Sequence, residues 1–505
     1  MSDNFNKNRI LKNTLLLYVR MLFTMWLNLY TTRLVLANLG VEDMGVYGVV
    51  GSITSLFTVF VGGITNAIQR FITFELGKKD GNIQNVFSTS LNILLIASFI
   101  LLILLEFGGT WLLHNKINLP ENSVDAAFWV YQISILTCLI NLVSIPYNAL
   151  IIAYEKMNAF ASISIIQVIF TCISAYSLSF FNNDKLLIYA LLMALISIII
   201  RIIYQVYCHI KFKEAKYKFR IDKNLIKEIG KYAGVSTVSS VLQLLSNQGI
   251  TFIINWTFGV TINAVYNISL QLKNCILSFS LNLLKAISPQ ITKTYAGGEM
   301  EAHKKLVYTG SKIEVFLIYF IMIPFLFKTE FIMKLWLSDI PDYTVSFAQA
   351  TVFISLTYSA FEPIRASVLA TGNIAKFMII PDSFYVLVLP LGFIIGRLSD
   401  NPTNMIISIV VMDIITCIIR VYIASKVSII RLREIAQKVI LPCIYVTVFS
   451  SVACYFLSIY LDDTITDLLI LLIINSLLLI GIIYCFGLDG MERQFIKQII
   501  YRMIK

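Results

Sequence analysis

Apolar residues run through this chain in long, nearly unbroken blocks, and nowhere in a sustained alternating pattern. Val86–Leu105 and Ile406–Ile423 are typical, each 18 or more residues with almost no charge. A barrel strand alternates over about ten residues, whereas a membrane-crossing helix needs about 20 apolar residues in succession. The blocks therefore predict helices. Fourteen of them fall near residues 11–37, 43–69, 86–108, 125–152, 158–180, 186–210, 232–257, 260–288, 311–336, 343–371, 377–396, 403–425, 438–460 and 466–487. The fold class expected is an all-α integral membrane protein, because a helix satisfies every backbone group within its own segment where no water is available.

Composition agrees. The 505 residues are 58% apolar and 14% charged, with a mean hydropathy of +0.79. A soluble domain carries about 25% charged residues, so lipid has to be this chain's solvent. The polar, basic first residues are not followed by a short apolar stretch and a cleavage-like site, and the first hydrophobic segment reads as a span. All eight cysteines lie within or at the ends of apolar runs, with no CxxC pair and no histidine cluster. They are expected to be small buried side chains, not metal ligands or disulfides.

Charge fixes an orientation. With the N-terminus placed in the cytoplasm, 28 of the 40 lysines and arginines fall on the cytoplasmic side and five, Lys116, Lys185, Lys328, Lys334 and Arg397, on the outer side. Seven remain inside spans: Arg20, Arg33, Arg201, Lys273, Lys285, Arg365 and Arg420. Short cytoplasmic loops are the ones that collect Lys and Arg, and a missed span would invert every later loop. Both termini are thus expected in the cytoplasm. The net charge of +11 is the cytoplasmic rim facing anionic headgroups and calls for no nucleic-acid partner.

The chain also matches itself. At an offset of about 219, Leu39-Gly40-Val41 with Val46-Tyr47 meets Phe258-Gly259-Val260 with Val265-Tyr266, and AIQRFITFELGKKDGN (67–82) meets AISPQITKTYAGGEMEA (286–302). At an offset of 217, Pro146, Ala149, Ala153 and Phe160 meet Pro363, Ala366, Ala370 and Phe377. Two halves of six spans each, an even number, are parallel repeats. The organisation expected is an N-terminal six-helix lobe (1–210), a basic amphipathic cytoplasmic segment (211–231), a C-terminal six-helix lobe (232–425) and two additional helices with a cytoplasmic tail (426–505).

Two parallel six-helix lobes, a basic segment between them and two extra C-terminal helices resemble the MOP superfamily of multidrug and lipid-linked oligosaccharide exporters, with a MATE- or MurJ-like arrangement. The stretch TTRLVLANLGVEDMGVYGVV (31–50) is similar to that of Wzx-type polysaccharide-unit flippases. The resemblance implies flipping of an undecaprenyl-pyrophosphate-linked oligosaccharide across a bacterial inner membrane, for O-antigen, capsule or exopolysaccharide. It implies alternating access driven by a Na⁺ or H⁺ gradient with no other cofactor. Polymerase and chain-length proteins of the glycan pathway are the partners it suggests, with the protein itself a monomer and not an enzyme.

Polar residues within the spans say what the interior holds. On span eight, Asn263, Asn267, Gln271, Asn274, Ser278, Asn282 and Lys285 fall within about 100° of one another at helical spacing. Span seven repeats the stripe with Ser236, Ser240, Gln243, Asn247 and Thr251. The first half carries a milder version: Arg20, Thr24, Asn28 and Thr31, then Ser55, Gly62, Asn66 and Gln69. Such a stripe either bonds neighbouring helices or lines a cavity, and its recurrence in equivalent helices favours the cavity.

Charge inside a span marks a pathway or a partner. Arg20, Arg33, Lys273 and Lys285 are candidate counter-ions for a diphosphate, with Asn267, Gln271, Asn274 and Gln243 beside them. Arg33 and Lys285 are also placed to snorkel from helix ends, and Lys273 lies about 120° off the stripe. Glu362, Asp382 and Asp413 are candidate ion-coupling acids. Glu362 and Arg365, three apart, and Asp413 and Arg420, seven apart, are alternatively spaced for structural pairs on one helix face.

Rival functions are constrained by what is missing. No GxxxxGK[ST] loop, HExxH or metal-spaced cluster occurs, and the three histidines (114, 209, 303) are scattered. A membrane polymerase or ligase usually has a sizeable outer loop, whereas these are short. A multidrug or small-molecule antiporter of the same superfamily is the nearer alternative, and cationic span residues favour an anionic substrate over cationic drugs.

Overall fold

A computed structural model describes residues 2–494 other than 79, 112–123, 182–183, 219–221, 338–339 and 491; the side chains of 2–12, 29, 41–42, 44–45, 49, 52–53, 55–60 and 260 are likewise not described. The outer loop holding Lys116, the interlobe Arg220 and the tail with Lys497, Arg502 and Lys505 lie outside the described residues, as does the side chain of Ser55 of the first-half stripe.

The described residues form helices joined by short turns and linkers, with no strand. In chain order the helices are α1 Ser2–Gly77, α2 Ile83–Leu104, α3 Val124–Ala153, α4 Met157–Ser177, α5 Lys185–Lys211, α6 Lys223–Ala296, α7 Met300–Phe327, α8 Thr329–Trp336, α9 Thr344–Thr371, α10 Ala375–Tyr385, α11 Val388–Leu398, α12 Pro402–Val427, α13 Leu441–Tyr460 and α14 Ile465–Ile482. Among the described residues, nine helical stretches are long and apolar enough to cross a membrane, with α10 and α11 together forming one. The other five expected segments lie on α9 and on the two limbs of each of α1 and α6.

A single residue divides each long helix. At 76 and 74 residues, α1 and α6 would each exceed about 100 Å if straight, over three times a hydrocarbon core of about 30 Å. Gly40 breaks α1 at φ 79°, ψ 176°, and Gly259 breaks α6 at φ 83°, ψ −177°. That region of backbone space is essentially open to glycine alone. The two glycines stand at the offset where the sequence repeats, so the repeat is expressed as a shared corner. Pro146 and Pro363, the other matched pair, lie inside α3 and α9.

Helix starts follow local chemistry. Asn82, Asp222, Asn401 and Thr464 cap α2, α6, α12 and α14 by accepting from the backbone N–H of Asn85, Leu225, Thr403 and Asp467. Such side chains satisfy donors that have no partner inside the helix.

The chain divides into two compact units. The first comprises residues 1–241 and 292–298, the second 242–291 and 299–505. In the first, Phe87, Tyr131, Leu150 and Ile151 are buried, and Gly63 lets α1 approach the Ala233–Thr237 turn of α6 so closely that any Cβ would overlap it. Lys293 reaches Glu155, fully buried at the α3–α4 corner, at 2.6 Å. The basic interlobe segment is fastened to α2: Gln84 donates to the Lys216 carbonyl at 2.9 Å, Tyr217 to Asn92 at 2.8 Å, and the Lys218 N–H to Ser88 at 3.1 Å. Phe212 stacks on Tyr154, ring centroids 4.3 Å apart.

In the second unit, Ile254, Val265, Tyr266, Phe347, Val388 and Ile409 belong to one buried cluster. The final pair, α13 and α14, packs on α7 and turns large apolar side chains such as Ile444, Phe456 and Leu477 outward, as lipid contact requires. A buried ion pair, Lys312–Glu492 at 2.5 Å, and Tyr308–Glu434 at 2.7 Å fasten the segments flanking this pair to α7. All eight cysteines are free thiols.

Candidate functional site

Within the second unit α6, α9, α10 and α12 enclose a cavity of about 110 Å³. Gln243, Asn247 and Lys273 reach it from α6, Tyr358, Phe361, Glu362 and Arg365 from α9, Tyr385 from α10, and Asp413, Thr416 and Arg420 from α12. Helical spacing puts these side chains there: 358, 361, 362 and 365 form one face of α9, and 413, 416, 417 and 420 one face of α12.

The charges are matched. Arg365 Nη1 donates to both oxygens of Glu362, at 3.1 and 3.3 Å, and Tyr358 lines the same pocket one turn away on α9. Arg420 donates to Asp382 Oδ1 on α10, and Gln243 Nε2 donates to Asp382 Oδ2 at 3.2 Å. Asp413 Oδ2 accepts from Thr357 Oγ1 at 2.5 Å, and the Lys273 ammonium interacts with the same carboxylate. Two ion pairs, Glu362–Arg365 and Asp382–Arg420, thus stand at one pocket with Asp413 and Lys273. Buried charge is tolerated when paired and hydrogen-bonded in this way.

The sequence-predicted residues are distributed as follows. Lys273, Gln243, Glu362, Asp382 and Asp413 come together at this pocket. Asn267, Gln271, Asn274 and Lys285 are exposed, along with Gln243 and Asn247. Arg20 is in the first unit, where its guanidinium lies 4.9 Å from the Phe160 ring centroid and 3.4 Å from Ser164 Oγ. Arg33 is exposed in the same unit.

Of the two same-helix pairings considered, Glu362–Arg365 forms. The Asp413–Arg420 pairing does not: Arg420 takes Asp382 from another helix, and Asp413 takes Thr357. Two turns of helix separate Asp413 from Arg420, while α10 brings a carboxylate directly to the guanidinium. Lys273 departs from the α6 stripe and lines the same pocket as Asp413. The pocket also uses Tyr358, Tyr385, Thr357 and Thr416, which sequence reasoning missed. Tyr358 and Thr357 carry a weak signal in their spacing from Glu362 on α9, while Tyr385 carries none.

No group of three or more histidine, cysteine or acidic side chains is placed to hold a metal ion among the described residues. A monovalent cation or a proton on Glu362, Asp382 or Asp413 is the chemistry that the carboxylates of this pocket could support.

Repeated broken helices and a polar pocket within an apolar, multi-pass bundle define a membrane protein of the MATE-like transporter fold. Three solved structures share that fold at 15% sequence identity, each aligned over 83% of this chain. A MATE protein in its straight conformation aligns over 96% of its own length with a TM-score of 0.72. An outward-facing multidrug resistance MATE family transporter of the MOP superfamily aligns over 95%, at 0.69. A MOP superfamily transporter from Pyrococcus furiosus, described as having a binding pocket of reverse polarity that suggests a different function, aligns over 95%, at 0.63. No curated protein matches in sequence. The chain belongs to the polysaccharide biosynthesis protein family, whose model matches residues 10–295.

Proposed function

We propose that this protein is a flippase that moves a lipid-linked oligosaccharide with an anionic diphosphate headgroup, of the undecaprenyl-pyrophosphate type, across a bacterial cytoplasmic membrane by alternating access. The observation that carries the reading is the exposed polar row on the second limb of α6, Asn267, Gln271, Asn274 and Lys285. Lipid offers these amides no partners, and each unsatisfied polar group in hydrocarbon costs several kcal/mol. A water-filled or sugar-filled cavity does offer them. Membership in a polysaccharide biosynthesis family supports a glycan as the cargo.

Lys285, Arg33 and Arg20 supply positive charge for the diphosphate, and Lys273 supplies it at the pocket. Glu362, Asp382 and Asp413 are the coupling acids of this reading, taking Na⁺ or H⁺. Both termini lie in the cytoplasm, following the distribution of lysine and arginine, and the protein works as a monomer beside the polymerase and chain-length proteins of its pathway.

The carboxylates of the pocket support a second reading, a small-molecule antiporter handling cationic compounds. The likeness to a multidrug resistance MATE family transporter favours the same reading. Proteoliposomes separate the two. Purified protein is expected to carry a lipid-diphosphate sugar between leaflets under a Na⁺ or H⁺ gradient and to leave a cationic dye unmoved. Transport of the dye alone supports the antiporter, and transport of neither removes both readings. Asp413→Asn is expected to abolish the gradient dependence; unchanged coupling excludes Asp413.

A further inference from the structure

Behind the pocket lies a carboxyl group that the charge network does not use. Glu314, midway along α7, is completely buried. Its Oε2 accepts a hydrogen bond from Ser280 Oγ of α6 at 2.6 Å, while Oε1 is buried without a protein partner. Two hydroxyls share that condition, Ser311 one turn earlier on α7 and Ser359 on α9. The helices run closely against each other here. A Cβ on Gly310 would lie 2.8 Å from Ile287 and 3.5 Å from Pro363, and His303 Nε2 is 2.7 Å from Ser367 Oγ. These contacts set an antiparallel register in which Glu314 comes opposite Ser359, and Ser311 opposite Glu362.

Orphaned polar atoms facing each other across a packed helix interface, here on Glu314 and Ser359 with Ser311 one turn away, are what a buried water satisfies. A carboxylate there would face a single neutral donor, an arrangement with a large desolvation penalty. A carboxylic acid suits the site better, since its O–H supplies a donor that the water or Ser359 accepts. Few groups face Glu314 among the described residues. α6 brings Ser280, and α9 brings Ser359 and Glu362, the latter held by Arg365. On α7 itself Lys312 is engaged by Glu492, and His303 has both ring nitrogens occupied, by the Ile291 carbonyl and Ser367.

We propose that Glu314 is a proton-binding site and that it passes its proton to Glu362, across the α7–α9 interface, when an anionic group enters the pocket. The Glu314 O–H bond breaks and an O–H bond forms on Glu362, so the total charge is unchanged. Neutral Glu362 no longer compensates Arg365, whose guanidinium is released to the anion. Glu314 then regains a proton from the aqueous side, and one proton is taken up for each anion bound. The inference rests on the pocket accepting an anionic group.

Two measurements test it. Difference infrared spectra of wild type and Glu314→Gln at neutral pH are expected to show one carboxylic-acid carbonyl band lost in the variant. Identical spectra overturn the proton site, whatever the pocket binds. Glu314→Gln keeps the acceptor for Ser280; should it lower the thermal midpoint, Glu314→Met provides the same subtraction with an apolar side chain of similar volume.

The second measurement titrates sulfate, which does not itself change protonation near neutrality, by calorimetry in two buffers of different ionisation enthalpy. Wild type is expected to take up about one proton per sulfate bound, and Glu314→Gln and Glu362→Gln none. Equal uptake in wild type and Glu314→Gln overturns the transfer. If wild type binds no sulfate, the anion reading of the pocket and the transfer fall together, and the infrared result still decides the proton on Glu314.

Discussion

The first unit turns at Gly40 and the second at Gly259, with φ values of 79° and 83° and ψ values of 176° and −177°. Around this common corner the two units hold their intramembrane cations differently. In the first, Arg20 leans on the Phe160 ring and Arg201 lies 4.5 Å from the Tyr147 ring centroid. In the second, Arg365 and Arg420 are held by the carboxylates of Glu362 and Asp382. An arginine on an aromatic face keeps the in-plane N–H donors of its guanidinium directed away from the ring. One bound to a carboxylate has to exchange partners before it binds an anion. One repeated scaffold thus holds its arginines in two ways, against aromatic rings in the first unit and on carboxylates in the second.

The largest expected effect comes from breaking the carboxylate design. Asp382→Ala leaves the Arg420 charge without its partner and removes the acceptor of Gln243. Thermal or denaturant unfolding should show a loss of about 3–5 kcal/mol, typical of an uncompensated charge left in a protein interior. Replacing Asp382 and Arg420 together with apolar residues should recover much of it. If Asp382→Ala is neutral, the network is not what holds α10 to α12.

The shared corner predicts matched, smaller effects. Gly40→Ala and Gly259→Ala meet no atom within 4 Å at the new Cβ, so the penalty is backbone strain alone, about 1–3 kcal/mol each. Similar losses of stability in the two variants would confirm that the corners are equivalent. A large loss in one and none in the other would separate them.

Smallest in stability, yet informative for function, is Arg20→Ala. Losing one cation–π contact should cost about 0.5–1 kcal/mol. If Arg20 contacts the diphosphate, binding of a lipid-diphosphate probe should weaken roughly tenfold or more, the loss of one charge-assisted hydrogen bond of about 1.5–3 kcal/mol. Equal small losses in stability and binding would make Arg20 structural only.

Much of the fold is legible in the sequence, because membrane helices are written locally. Long apolar runs, capping residues such as Asn401 before Pro402, and the Gly-Val repeat beginning at Gly40 and Gly259 each report on a few neighbouring positions. The repeat marks an equivalence but does not show that its glycine is a corner, since glycine alone carries no dihedral. The site is legible only where it lies along one helix. The α6 stripe and Glu362–Arg365 follow from spacing, whereas Arg420–Asp382 and Asp413–Thr357 depend on which helices become neighbours. Glu314 is hidden for the same reason: its partner Ser280 comes from another helix, and its own segment reads as a basic helix start followed by an apolar run. The interlobe segment is likewise legible as basic and amphipathic, but its attachment to α2 through Gln84 and Ser88 is not.

The account depends most on the α6 stripe facing water and substrate. With the native cysteines replaced, Gln271→Cys in proteoliposomes should react quickly with a hydrophilic maleimide, because a thiolate forms only in contact with water. A lipid-diphosphate sugar should slow that reaction, while the exposed apolar position Ile418→Cys should stay unreactive with or without it. Slow labelling at 271, matching that at 418 and indifferent to the lipid, would contradict the account.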